Sequence, residues 1–285
     1  MKLTINSCDG AYDSLDVRFT KKCDNNCPFC IEKTGVDSFG ETNIAELVKS
    51  TLQSGIKEIL ILGGEPFLFI NKLAGYIQLI RPHVDKIYVT TSLPNTFNTH
   101  PNARNHILEM IDGLNVSIQD TDWGMNNLLL RASSDHNRIE ILKNLNIKYA
   151  DKIRTSINLV QGGIDTWKKM IISIWTLEQL GCKYIKINEL QHSPNLYVSY
   201  NKISPKRFRL KSPYSHGCHT EVILPNCSCK IEVKRSCFKV EATCKASFMD
   251  LLKAITTIFY VKKNKFMVLY ENGLLTNTWI NEHYH

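Results

Sequence analysis

Between residues 14 and 190, short apolar runs alternate with stretches whose apolar positions recur every three to four residues. The runs at 14–20, 57–62, 86–91, 113–118, 152–159 and 183–188 are rich in Ile, Val and Leu and are bounded by polar residues or glycine. That is the pattern of strands buried in a parallel sheet. The intervening stretches near 44–54, 70–81, 103–111, 137–145 and 166–180 carry the amphipathic period of helices. Asn43 is placed to cap the first helix, with Glu46 as the far half of a capping box. Asp165 is placed to cap the last helix and Gly181 to stop it. Six β–α units in succession predict an α/β fold with a parallel sheet and helices packed outside it. In such a fold the ligand site lies at the C-terminal ends of the strands.

After residue 190 the rhythm changes. Residues 191–213 are polar, carry prolines at 194, 205 and 213, and read as a linker or irregular crossing. A cysteine-rich stretch follows with Cys218, Cys227, Cys229, Cys237 and Cys244, then a helix over about 248–260. A closing hairpin is predicted over 266–280, with Asn272-Gly273 at its turn. The division expected is a core over 1–200 and a small α+β cysteine-rich extension over 201–285.

A chain of 285 residues with 43% hydrophobic and 22% charged residues supports one large core or a core with an appendage. No apolar run reaches bilayer-spanning length and residues 1–7 lack a signal-peptide core, so a cytoplasmic protein with no membrane partner is expected. Ten cysteines in such a compartment point to metal or cluster ligation rather than disulfides. The net charge of +8 is uneven: residues 202–265 hold fourteen Lys/Arg against four Asp/Glu, which leaves the rest slightly acidic. The basic third suggests an anionic partner such as a nucleotide, a nucleic acid or an acidic peptide; a merely solvated face is the alternative.

The chemistry concentrates at strand ends. Directly after the first strand runs Cys23-Asp24-Asn25-Asn26-Cys27-Pro28-Phe29-Cys30. Three thiolates on one loop are one short of the four that close an iron–sulfur cluster, which leaves one metal position open for reaction. On the loop alone, zinc with a fourth ligand from Cys8 or a histidine is the competing reading. Gly63-Gly64-Glu65-Pro66 follows the second strand, where the glycines leave backbone amides open and the glutamate offers an acceptor. Thr90, Thr91 and Ser92 end the third strand, Ser117 the fourth and Asn158 the fifth.

These motifs together resemble the radical S-adenosylmethionine (radical SAM) superfamily. The Cys-x3-Cys-x2-Cys loop with Phe29 before its last cysteine is similar to that superfamily's cluster motif, and residues 63–66 to its GGEP motif. The resemblance covers roughly residues 14–190 and implies a partial (βα)6 TIM-like barrel. It implies a [4Fe–4S] cluster on Cys23, Cys27 and Cys30 whose free iron chelates SAM. Reductive cleavage would give a 5′-deoxyadenosyl radical that abstracts hydrogen from a substrate, with an electron donor such as a flavodoxin or ferredoxin. Phe29 would pack near the adenine; Gly63, Gly64, Glu65 and Pro66 would form the wall that receives the methionine ammonium. Thr91, Ser92 and Ser117 would face the ribose or carboxylate, with Asn158 ahead of Arg154 as a further SAM contact. The cysteine-rich extension is similar to those that carry a second iron–sulfur cluster, with Cys218, Cys227, Cys229 and Cys237 as first-choice ligands; zinc or reduced structural thiols are the alternatives. An anionic small molecule or nucleotide is the expected substrate. A peptide maturase and a zinc-stabilised nucleic-acid-binding module are the competing functions.

Overall fold

The computed structural model describes residues 14–33, 40–190, 193–210, 219–236 and 266–276. In chain order its strands and helices are β1 (Ser14–Thr20), α1 (Ile44–Ser54), β2 (Glu58–Gly63), α2 (Ile70–Ile80), β3 (Lys86–Thr91), α3 (Thr96–Thr99), α4 (Pro101–Met110), β4 (Gly113–Ser117), α5 (Trp123–Leu130), α6 (Arg138–Tyr149), β5 (Ile153–Leu159), α7 (Trp167–Gln179), β6 (Tyr184–Glu189), α8 (Tyr200–Ile203), β7 (His219–Val222), β8 (Lys230–Lys234), β9 (Phe266–Leu269) and β10 (Leu275–Thr276). The strands form one sheet in the order β10-β9-β1-β2-β3-β4-β5-β6-β8-β7. Neighbours from β9 to β8 run parallel, and β10 and β7 fold back antiparallel at the two edges. The sheet is an unclosed version of the barrel, with the β–α alternation in the expected order.

The strands alternate in burial. Ile59 and Ile61, Ile87 and Val89, Ile153 and Ile157, and Ile185 and Ile187 lie buried beneath the helices. Their neighbours Glu58, Tyr88, Asn115, Arg154, Tyr184 and Lys186 line a cavity on the other face. The sheet therefore has one apolar face and one polar, solvated face.

Several local expectations needed correction. Asn43 does cap α1, accepting from the Glu46 amide at 3.3 Å. Its own amide, however, donates to the Glu271 carbonyl, so Glu46 has no amide to receive and the capping box is not made. Thr166, not Asp165, caps α7; Asp165 instead accepts from the Gly162 amide and pairs with Lys169. Gly181 does follow α7 in the left-handed region, at φ 83°. Helix α5 and strands β7 and β8 were not anticipated. The hairpin is present as β9–β10, with Gly273 at φ 85° in its turn. Its role is larger than a terminal ornament, because β9 pairs with β1 and extends the sheet. Arg18 of β1 and Glu271 are both buried and bond through Nε at 2.8 Å and Nη2 at 3.2 Å, with Arg18 also stacked over Tyr270. The helix expected over 248–260 and the continuation of the hairpin past residue 276 lie outside the described residues. No helix among the described residues is long and apolar enough to cross a membrane.

Candidate active site

Near its end β1 shifts register against β2 between Arg18 and Thr20, a local irregularity of the kind that re-aims a strand beside a site. The chain then enters the cysteine loop. Gly64 donates its amide to Thr20 O at 2.6 Å and Glu65 donates to Lys22 O at 2.8 Å. The glycines thus serve a different purpose from the one expected. The Gly64 amide is not held open for a ligand; with the Glu65 amide it grips the start of the loop. A Cβ on Gly64 would stand 2.2 Å from Lys22 O, and one on Gly63, at φ 121°, would stand 2.4 Å from Thr20 O. Only residues without a side chain let these two backbones approach so closely.

The other side of the loop is clamped by the α5–α6 connection. Asn26 donates to Leu130 O at 3.0 Å, Ser133 donates to Asp24 O at 2.8 Å, and Asn25 bridges Ala132. Behind the loop lies Arg138, the first residue of α6 and fully buried. It donates to Ser92 O at 2.9 Å, Asn127 Oδ1 at 2.6 Å and Asn25 Oδ1 at 3.2 Å, and reaches Asp24 Oδ2 at 3.5 Å. Burial lowers the pKa of the guanidinium, against the opposing pull of Asp24, Glu65, Cys23 and Cys27. This residue was missed in the sequence, where it reads as one more polar position on a helix.

Glu65 is the second buried charge. Its Oε1 accepts from the Phe67 amide at 3.1 Å and the Thr91 hydroxyl at 2.9 Å; its Oε2 accepts from both the amide and the hydroxyl of Ser92 at 2.7 Å. Four donors fill the four acceptor positions of a carboxylate. Burial pushes the Glu65 carboxyl up to about 7, even though the Ser92, Thr91 and Phe67 donors all work to lower it. Pro66 is buried at the start of the short turn that Glu65 caps and does not face the cavity.

Cys23, Cys27 and Cys30 open into a cavity of about 420 Å³. Its walls include Phe29, Gly63, Gly64, Glu65, Thr91, Ser92, Ser117 and Asn158, which the sequence had singled out, and also Asn25, Gln119, Asn188, Glu189 and Lys234, which it had not. Gln119 is buried, and its Oε1 has no hydrogen-bond partner among the described residues. Although Cys23 is open to the cavity, burial pushes its thiol up to about 12, and the charges of Glu65, Asp24 and Cys27 add to this; the Asn25 amide, donating to the sulfur, opposes it. Arg154 is not in this cavity. It lies four residues nearer the start of β5, between the rings of Tyr88 and Tyr184, in an adjoining 300 Å³ recess of the same polar face.

A single tetrahedral zinc ion would draw three thiolates to about 3.8 Å from one another, given Zn–S bonds near 2.3 Å. Among the described residues, the ligand atoms that gather within 4.8 Å belong to Glu178, Cys227 and Cys229, not to Cys23, Cys27 and Cys30. Of the four cysteines expected at a second site, Cys227 and Cys229 are thus brought together, with a glutamate that the sequence gave no reason to choose. Cys218 and Cys237 lie outside the described residues. Cys182 is buried at the head of β6, as expected of a core position.

No protein-family model matches the chain. Curated relatives named GTP 3′,8-cyclase, from Helicobacter pylori J99 and Syntrophomonas wolfei, are 33% and 34% identical over 86 residues. Each match spans about a quarter of this chain and about a quarter of the relative, 26% and 27% for the first and 27% and 26% for the second. Among solved structures, a radical SAM methyltransferase from Sphaerobacter thermophilus superposes with a TM-score of 0.50 at 14% identity. That superposition covers 91% of this chain and 65% of the other, and it shows a shared fold.

Proposed function

We propose that this chain is a radical SAM enzyme that holds a [4Fe–4S] cluster on Cys23, Cys27 and Cys30 and cleaves SAM reductively to act on an anionic, nucleotide-type small molecule. The observation that carries the reading is the opening of all three loop cysteines onto one cavity walled by the C-terminal ends of the parallel strands. Three thiolates are the right donor set for a four-iron cluster with one open iron. When bound, the cluster supplies one electron at short range to the sulfonium of SAM, which splits a carbon–sulfur bond and initiates hydrogen abstraction.

The chain's own residues position and shelter that chemistry. Gly63 and Gly64 fix the loop against β2, and Arg138 fixes it against α6. Glu65 spends its four acceptor positions on Phe67, Thr91 and Ser92, so its part is to shape the wall. Gln119 Oε1, an orphaned polar atom of a cavity residue, offers a further acceptor suited to an ammonium donor. Ser117 and Asn158 line the same wall, and Phe29 offers a ring for an adenine face.

Lys234 supports the substrate class. It brings a positive charge from the basic third of the chain into the cavity, beside Asn188 and Glu189. The relatives' name specifies GTP, a substrate of this charge type. Electrons would come from a small reduced carrier of the flavodoxin or ferredoxin class.

The test is anaerobic reconstitution, with about four irons per chain expected. Dithionite-reduced protein given SAM should release 5′-deoxyadenosine, and replacing Cys23, Cys27 and Cys30 with alanine should abolish it. Product that persists in the triple variant overturns the assignment. Nucleotide triphosphates should bind more tightly than neutral nucleosides, with weakening in rising salt and in Lys234→Ala; a flat response overturns the substrate class.

A further inference from the structure

The opposite end of the sheet carries a second group of metal-type side chains. Strands β7 and β8 form an antiparallel hairpin whose connection contains Cys227, Ser228 and Cys229. Because β8 runs parallel to β6, with Tyr184 opposite Lys230, this connection lies at the N-terminal end of β6. The last turn of α7 ends just before it and supplies Glu178. The Ser228 amide and hydroxyl both donate to Glu178 Oε1 at 2.6 Å. The Lys230 amide donates to Lys183 O at 2.9 Å, and the Cys229 thiol donates to Cys182 O at 2.9 Å. Two thiols and a carboxylate are thereby held within 4.8 Å of one another, with Cys229 buried.

We propose that Cys227, Cys229 and Glu178 form a mononuclear zinc site that pins the β7–β8 hairpin to the end of α7, separate from the Cys23–Cys27–Cys30 loop. Two thiolates and one carboxylate oxygen are a ligand set that zinc accepts, with Zn–S near 2.3 Å and Zn–O near 2.0–2.2 Å. Tetrahedral geometry at those lengths separates the two sulfurs by about 3.8 Å, so the group must close by no more than about 1 Å. Cys227 is only partly buried, on the connection between β7 and β8, and is the ligand placed to make that adjustment. The fourth position falls to water.

The chemistry of the group suits a cation. Two thiolates beside a carboxylate would repel one another, and a bound divalent ion turns that repulsion into attraction by stabilising the deprotonated thiols. The group lies at the opposite end of β8 from the main cavity, so the contribution of its ion is mechanical. Five residues along β8 from Cys229, or about 17 Å at strand rise, stands Lys234 in the main cavity. Bracing one end of β8 steadies the strand that presents this charge at the other.

The measurement is zinc binding to the full chain in which Cys23, Cys27 and Cys30 are all serine, so that the loop cannot bind the added ion. Titration with zinc against a chromophoric chelator should show one tight site, and cobalt in its place should give a sulfur-to-cobalt charge-transfer band. Adding Cys227→Ser and Cys229→Ser should remove the band and weaken zinc affinity by on the order of 100-fold or more. Glu178→Gln, at the edge of the group, should weaken affinity while keeping the band. Circular dichroism on each variant separates lost ligation from lost folding. The proposal is overturned if the loop variant takes up no stoichiometric zinc, or if the added serines leave affinity unchanged, which would place the ion on other cysteines.

Discussion

Replacing Arg138 with methionine is the sharpest probe of how the cysteine loop is held. Methionine roughly preserves the apolar stem but removes every hydrogen bond of the guanidinium. Three acceptors then lose a charged donor in a buried region: Ser92 O, Asn127 Oδ1 and Asn25 Oδ1. At about 1 kcal/mol each, the lower end of the range for an orphaned buried group, they cost about 3 kcal/mol. Asp24, which sits 3.5 Å from Arg138, loses its nearby positive charge for another ~1 kcal/mol. The total of about 4 kcal/mol corresponds to a fall in Tm of roughly 8–16 °C for a domain of this size. Arg138→Lys keeps the charge but cannot span Ser92, Asn127 and Asn25 together, so about half of the loss should return. Thermal denaturation of the metal-free protein gives the stability. Iron content after reconstitution reports the loop separately. A methionine variant that melts within 2 °C of the parent and loads iron fully would refute the view that this guanidinium organises the loop.

Other perturbations follow from the same geometry. Gly64→Ala places a methyl against two backbone carbonyls of the loop, and should cost about 1–3 kcal/mol with a clear drop in iron uptake; normal loading would contradict the packing argument. Glu65 has a folded-state pKa raised to about 7 from 4.5, so the stability tied to its protonated form is full below about pH 4.5 and is lost as the pH rises through 7. Glu65→Gln, which cannot ionise, should therefore flatten the fall in stability between those values, by up to ~3 kcal/mol in urea titrations at pH 5 and 8; parallel pH curves for the two proteins would count against it. Glu271→Gln removes the nearer ionised partner of the buried Arg18 and leaves only Glu32 at 3.8 Å, which should cost about 3 kcal/mol, the low end for a broken buried pair, read as a lowered unfolding midpoint; a shift below 1 kcal/mol would mean that the pair contributes little.

Much of the core was legible because buried parallel strands and amphipathic helices leave different periods in a sequence. Strands β1 and β3 and helix α1 have the predicted bounds, and β2, β4, β5 and β6 shift by a residue at one or both ends. Helix α5 escaped because its polarity is inverted: Asn126 is buried, bonding the Gln119 amide, while Leu128 is exposed. Strand β8 did carry a readable signal in Lys-Ile-Glu-Val-Lys, whose isoleucine and valine are buried, but the nearby cysteines drew the reading towards metal chemistry. The strand-end residues of the cavity were legible because polar residues recur at one end of apolar strands. Arg138, Gln119 and Lys234 were not, since their roles depend on contacts between segments far apart in the chain. The hydrogen bonds of Glu65 and Gly64 to the neighbouring backbone were hidden for one reason. Spacing identifies which groups are present, but their free valences are known only once the neighbouring backbone is in place.

The pairing of β1 with β9 has a temporal consequence. Arg18 and Glu271 are 253 positions apart, so at translation rates of about 5–20 residues per second the strand waits roughly 13–50 s for its carboxylate. During that interval one flank of β1 presents unpaired amides and carbonyls, a template for wrong partners. A nascent chain stalled before residue 271 would hold a guanidinium destined for the interior without the nearer of the two carboxylates that accompany it there. A product truncated before β9 would be exposed to the chaperones and proteases that patrol open edges.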